Sequence, residues 1–190
     1  MEISDFYQEV IKSLNNNNVE FLLMGGLAVG FHGYARYTGD MDLWINPSGK
    51  NLKKLSDALK SLKYSTEVIN QIIKSRPIDH PTPIRLFSED EKFKVDLMTT
   101  IFYEPLTFKA CKERSVKNDL GGFTLHIIGI RDLIEIKSSI KRSDGSLKDL
   151  VDAQELRKIL DRGESIDIEK KTSLLKRIFK KLGKGKGMSM

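Results

Sequence analysis

Two carboxylates two residues apart inside an apolar segment are the first residues in this chain whose types and spacing could do chemistry. Asp40 and Asp42 stand in GDMDLWI, and a strand would turn both to one face. Side by side they repel unless a cation lies between them. Gly25 and Gly26 lie upstream, separated from Asp40 by thirteen residues, and close the apolar run VEFLLM. A third carboxylate, Asp96, sits between Val95 and Leu97 in KFKVDLM. Such a set suits phosphoryl transfer, which asks for positioning and charge stabilisation more than for covalent chemistry. Oxygen ligands on rigid strands suit Mg2+ or Mn2+, and paired ions about 3.5–4 Å apart can clamp attacking and leaving oxygens. Asp40 and Asp42 are expected to bridge such ions. Asp96 is expected to hold the ion nearest the nucleophile and to act as its general base. The glycines would let backbone N–H groups approach a triphosphate, with the start of the next helix adding partial positive charge. The plainer alternatives are a strand-entry turn with Asp42 facing solvent, and for Asp96 an exposed position on an alternating strand.

These side chains need particular elements to hold them. DFYQEVIKSL has helical spacing and runs into an Asn stretch, predicting a first helix that ends near Leu14. VEFLLM reads as a strand, LAVGFHGY as a short helix ending near Gly33, and MDLWI as the next strand. NPSGKNLKKLSDALKSL reads as a capped amphipathic helix, and EVINQIIKS as a further helix within 64–76 that the Pro-rich RPIDHPTP stops. IRLFS and FKVDLMTTIF are expected to be neighbouring strands around the acidic turn EDE. RSVKND and FTLHII form a second hairpin across LGG. From Gly129 the period becomes helical: IRDLIEIKSSIKR, a break at SDGS with Ser146 as a candidate N-cap, then LKDLVDAQELRKILDR. The expected class is α+β, a mixed sheet flanked by helices with a C-terminal helical segment. Its parts are a core over 1–128, helices packed on it over 129–163, and a basic tail over 164–190.

MGG, thirteen intervening residues and GDMDLW resemble the nucleotidyltransferase fold of the DNA polymerase beta superfamily. Within it, RYTGDMDLWI is most similar to minimal nucleotidyltransferases, including toxins of toxin–antitoxin and abortive-infection systems. The likeness spans roughly residues 18–160. It implies roles for Arg36 and Thr38 in the Arg-x-Thr before the carboxylates. It also implies roles for Lys137, Arg142, Lys148, Asp149 and Asp152 in DLIEIKSSIKRSDGSLKDLVDAQEL, with Lys137 contacting phosphates. The structural reading of Lys137 is a solvated lysine beside the stripe of Leu133, Ile134, Ile136 and Ile140. That of Arg142, Lys148, Asp149 and Asp152 is an exposed charged face. Gly26 stands where many active members have Ser, which removes a hydroxyl contact to the nucleotide.

Composition bounds the partners. The 190 residues carry a net charge of +6, but residues 170–190 hold eight Lys or Arg and no acid, so removing those eight leaves residues 1–169 at −2. Basicity is therefore a property of the tail, where Leu174, Leu175, Ile178, Phe179 and Leu182 recur at helical spacing among lysines. Docking on the body, gripping nucleic-acid phosphates and lying on an anionic membrane are the three readings of that pattern. One cysteine, Cys111, implies no disulfide framework and a reducing, cytoplasmic setting. No stretch is apolar for long enough to span a bilayer. The three histidines, His32, His80 and His126, lack ligand spacing. Tyr34 and Trp44 are aromatic candidates for base stacking, without a distinguishing signal.

Together these features, with the resemblance, imply transfer of NMP from an NTP to an acceptor hydroxyl. RNA, tRNA above all, is the favoured acceptor and protein the other, with a cognate antitoxin protein as a possible partner. A nucleotide- or RNA-binding module that has lost catalysis is the alternative.

Overall fold

In a computed structural model, the described residues are 3–65, 67, 69, 83–91, 93–101, 103, 105–140, 147–163, 173 and 175. The apolar alternation of the sequence becomes a six-stranded mixed sheet. β1 (Phe21–Met24) and β2 (Asp40–Ile45) run antiparallel, and β4 (Lys94–Met98) pairs parallel with β2. β3 (Ile84–Phe87) forms a hairpin with β4, and β5 (Val116–Asp119) with β6 (Thr124–Ile127), which in turn lies parallel to β1. The order across the sheet is β3-β4-β2-β1-β6-β5. β1 is central and all four of its residues are buried, as an uninterrupted apolar run requires.

Six helices surround the sheet among the described residues. α1 (Ile3–Asn16) packs on α3 (Gly49–Ser61), where the Ser13 hydroxyl donates to the Ala58 carbonyl at 2.9 Å. Ser48 caps α3 by accepting from the Asn51 amide. α2 (Gly25–Phe31) begins at the first glycine itself and is buried throughout. α5 (Ile130–Ser139) and α6 (Lys148–Asp161) pack closely on each other, and α5 also meets α2. One core cluster links α1 (Tyr7, Val10, Ile11, Leu14) to β1, α2, the inward residues Met41, Leu43, Val95 and Leu97, and α5.

The expected α+β class and both hairpins are present. Two differences stand out. The strand expected over FKVDLMTTIF is shorter, ending at Met98. A short helix, α4 (Phe108–Glu113), also appears where no element is expected, its start capped by the Thr107 hydroxyl accepting from the Ala110 amide. α6 starts after Leu147, and Ser146 lies outside the described residues, as do Arg142, His80 and most of 64–76. Of the tail, Leu175 is described and fully buried in the core cluster. No helix among the described residues is long and apolar enough to cross a membrane.

Candidate active site

The parallel register of β2 and β4 sets Asp42 level with Asp96 and Asp40 level with Lys94. With a period of two, Asp40, Asp42, Lys94 and Asp96 share one face, while Met41, Leu43, Val95 and Leu97 fill the core on the other. Asp96 is buried and Asp40 is the open member, its side chain 48% exposed. Burial and then the facing charge of Asp96 push the Asp42 carboxyl up to about 6, against the pull of Lys137. The Lys94 ammonium spans the cluster, 3.1 Å from Asp40 Oδ2 and 3.2 Å from Asp96 Oδ2. Arg85, paired with Asp96 across the β3–β4 hairpin, stops 3.7 Å from Asp96 Oδ1, and that buried oxygen has no hydrogen-bond partner. Tyr7, whose hydroxyl donates to the Gly39 carbonyl at 2.9 Å, stands close enough to Asp40 and Asp42 for their charges to reinforce the upward shift that burial gives its phenol.

The two glycines have distinct geometric reasons. Gly25 takes φ +64°, and a Cβ there would lie 1.8 Å from Asp42 Oδ2. Asp42 can thus stand against the backbone at the end of β1 only because residue 25 has no side chain. A Cβ on Gly26 would lie 2.6 Å from Thr38 Oγ1 and 3.1 Å from Arg36 Nη1. The Thr38 hydroxyl therefore occupies the space into which a serine at 26 would project.

Lys137, Asp149, Asp152 and Arg36 come together in an ion network on the helical side. The Lys137 ammonium contacts Asp149 Oδ1 at 2.5 Å and Asp152 Oδ2 at 3.1 Å. Arg36 grips Asp152 with Nε and Nη2 at 2.6 and 2.7 Å, a bidentate pair. Lys137, Asp149 and Asp152 are all buried, so the solvated readings of these residues do not hold. A cavity of about 170 Å³ joins the two halves, with Gly25 and Asp42 at one side, Lys137 and Asp149 at the other, and Met98, Ile101, Leu133 and Ile136 as apolar wall. A larger groove of about 560 Å³ runs between α1 and α3, but it contains none of these residues.

Asp40, Asp42, Asp96, Gly25, Gly26, Arg36, Thr38, Lys137, Asp149 and Asp152 thus lie around one cleft, whereas Lys148 is exposed and Arg142 lies outside the described residues. Lys94 and Arg85 are missing from the sequence reading. Lys94 had a signal, since a residue two before Asp96 must share its face; Arg85 depends on the hairpin register. Trp44 is buried with its ring edge-on to Phe108 at 5.4 Å, so it is a core residue and not a base-stacking one. His32 is buried on the Ile128 carbonyl, and burial with nearby Lys112 and Lys117 pushes His126 down to about 4. Burial and Asp132 push the Cys111 thiol up to about 11, in keeping with an inert residue.

The fold is similar to that of the antibiotic-resistance factor ANT(2'')-Ia in its solution structure, with a TM-score of 0.51 and 13% identity over 94% of this chain and 91% of that one. The chain has a nucleotidyltransferase-like fold. The crystal structure of ANT(2'')-Ia with adenylyl-2''-tobramycin is also similar, at TM-score 0.47 and 12% identity over 94% of this chain and 97% of the other. So is an antigenic nucleotidyltransferase-like protein from Paracoccidioides brasiliensis, at TM-score 0.48 and 17% identity over 92% of each chain. No family model and no curated protein matches the sequence.

The donor set of the cleft can be tested against a hard divalent cation. Among the described residues no three carboxylate, histidine or cysteine side chains already converge as a ligand group. What the face does offer is three carboxylates, one buried oxygen without a hydrogen bond and an ammonium bridging two of the carboxylates. Hard oxygen donors with a cation already between them fit Mg2+ or Mn2+ chemically.

Proposed function

We propose that the protein is a metal-dependent nucleotidyltransferase that moves NMP from an NTP to an acceptor hydroxyl and releases pyrophosphate. The observation that carries this reading is the level register of Asp42 and Asp96 beside Gly25, a carboxylate pair held close without enough positive charge to balance it. Asp40, Asp42 and Asp96 would hold Mg2+ or Mn2+. Bound there, the metal would neutralise charge building on the phosphates and lower the pKa of the acceptor hydroxyl. Asp96 then accepts the proton of that hydroxyl as its oxygen attacks the α-phosphorus. Gly25 and Gly26 leave room for the triphosphate, and the Thr38 hydroxyl supplies a donor beside Gly26. Lys137, fixed by Asp149 and Asp152, presents positive charge along the cavity toward the phosphates, and Arg36 steadies Asp152 from the loop before β2.

RNA is the favoured acceptor, tRNA in particular: residues 1–169 carry a net charge of −2, and the basic tail can supply the phosphate contacts a nucleic acid needs. Protein hydroxyls are the second acceptor class. The resemblance to toxin-type members supports a role as the toxin of a toxin–antitoxin or defence pair. The division into a core over 1–128, packed helices over 129–163 and a tail is part of the same proposal.

A nucleotide- or RNA-binding module without catalysis is the competing reading, and the salt-bridged Lys94 within the carboxylate face favours it. Labelled NTPs incubated with Mg2+ or Mn2+ and total RNA, protein or aminoglycosides decide between them. Transfer of label by the wild type, falling at least about a thousandfold in Asp42→Asn, is the expected outcome. Metal-dependent nucleotide binding with no transfer to any acceptor supports the module instead.

A further inference from the structure

The Lys94 side chain lies on the carboxylate face itself. Its strand position is level with Asp40, and its four-carbon stem carries the ammonium to within 3.2 Å of Asp96 Oδ2 as well as 3.1 Å of Asp40 Oδ2. The ammonium thus holds one oxygen of each of the two carboxylates that flank Asp42 on this face. Arg85 does not add a hydrogen bond, since 3.7 Å is too long for one. The Lys94 side chain is 25% exposed, so the stem has an open path away from the cluster, and a lysine stem is flexible enough to take it.

We propose that Lys94 is a built-in competitor for the divalent cation: it bridges Asp40 and Asp96 in the metal-free cleft and has to leave those oxygens before a metal can ligate them. This rests on the metal-binding reading of Asp40, Asp42 and Asp96 given above. An ammonium already seated on one oxygen of each carboxylate occupies those donor positions and repels a divalent ion approaching the same oxygens. The protein therefore holds its carboxylates together through Lys94 without a metal, at the expense of affinity for the free ion. Replacing the ammonium by a neutral group of similar shape removes the competitor and leaves the ligands.

The experiment is Mn2+ titration of the full chain without nucleotide, followed by electron paramagnetic resonance of the free ion. Lys94→Gln and Lys94→Met are each expected to bind Mn2+ about tenfold more tightly than the wild type, about the effect of removing one nearby competing charge. Lys94→Arg, which keeps the charge, is expected to stay within about threefold of the wild type. Asp42→Asn is expected to bind none above background. Equal or weaker Mn2+ binding by both neutral variants, with Asp42→Asn still abolishing it, overturns the role of Lys94 and leaves the metal reading standing. Unchanged binding in Asp42→Asn overturns the metal reading itself. Circular dichroism follows each variant: neutral variants that unfold and are refolded by Mn2+ support the competitor role, and those that Mn2+ does not refold overturn it.

Discussion

The cleft has two walls that treat buried charge in opposite ways. On the helical wall, Asp149 and Asp152 face Lys137 and Arg36, two anions against two cations, with the bidentate Arg36–Asp152 pair completing the set. On the sheet wall, Asp40, Asp42 and Asp96 face Lys94 and a largely exposed Arg85 that falls short of hydrogen-bonding distance. The first wall is electrostatically complete and acts as architecture. The second is short of positive charge, which suits the proposed cation site. Buried charges are tolerated in both, but only on the helical wall do the charges of the side chains match one for one.

Breaking the balanced wall should have the largest effect on stability. Asp152→Asn leaves Arg36 and Lys137 with one anion between them and is expected to cost about 3–5 kcal/mol by chemical denaturation. The same kind of substitution on the sheet wall should act with the opposite sign. Asp42→Asn removes the carboxyl that burial and Asp96 push up to about 6. It should stabilise the metal-free protein by about 2 kcal/mol at pH 7.5 while abolishing transfer. The sign follows from proton uptake. Between pH about 4 and 6 the folded protein holds a proton that the unfolded chain has lost. Metal-free stability therefore falls as pH rises through that window and is lowest above it, whereas Asp42→Asn should show no such fall.

Where the walls meet, Gly26→Ser tests the packing against Thr38. The added side chain meets Thr38 Oγ1 and Cβ, so a loss of about 1–2 kcal/mol is expected. Thr38→Ala in the same chain should recover part of it, read as a shift in Tm. The smallest effect is on metal affinity with pH. Because a ligand must be deprotonated, Mn2+ binding should weaken about tenfold per pH unit below about 6. A carboxylate of ordinary pKa would hold its affinity down to about 4.

Asp40, Asp42 and Asp96 were legible because a strand alternates its faces every second residue, so each segment states which side its carboxylates share. The hairpins were legible for the same reason, punctuated by EDE and LGG. What stayed hidden is what depends on pairing between distant segments. Lys94 reaches Asp40 only because β2 and β4 are parallel in this register. Lys137 looked solvated on its own helix; its burial comes from α6, and helical spacing cannot reveal what packs on a polar face. Gly26 looked like a missing hydroxyl, yet the occupant of its space, Thr38, is a loop residue whose position no periodicity records. α4 is held by one hydroxyl cap in a segment too short for a helical period to emerge.

The Arg36–Asp152 pair spans 116 positions of the chain, and this has a temporal consequence. At about 5–20 residues per second of synthesis, Arg36 exists for roughly 6–23 s before its partner is made. During that interval the loop ahead of β2 lacks its anchor, and Lys137, once made, lacks Asp152. The cleft is therefore completed last, and a nascent or truncated chain that stops before α6 is expected to carry all three sheet carboxylates and still be inert.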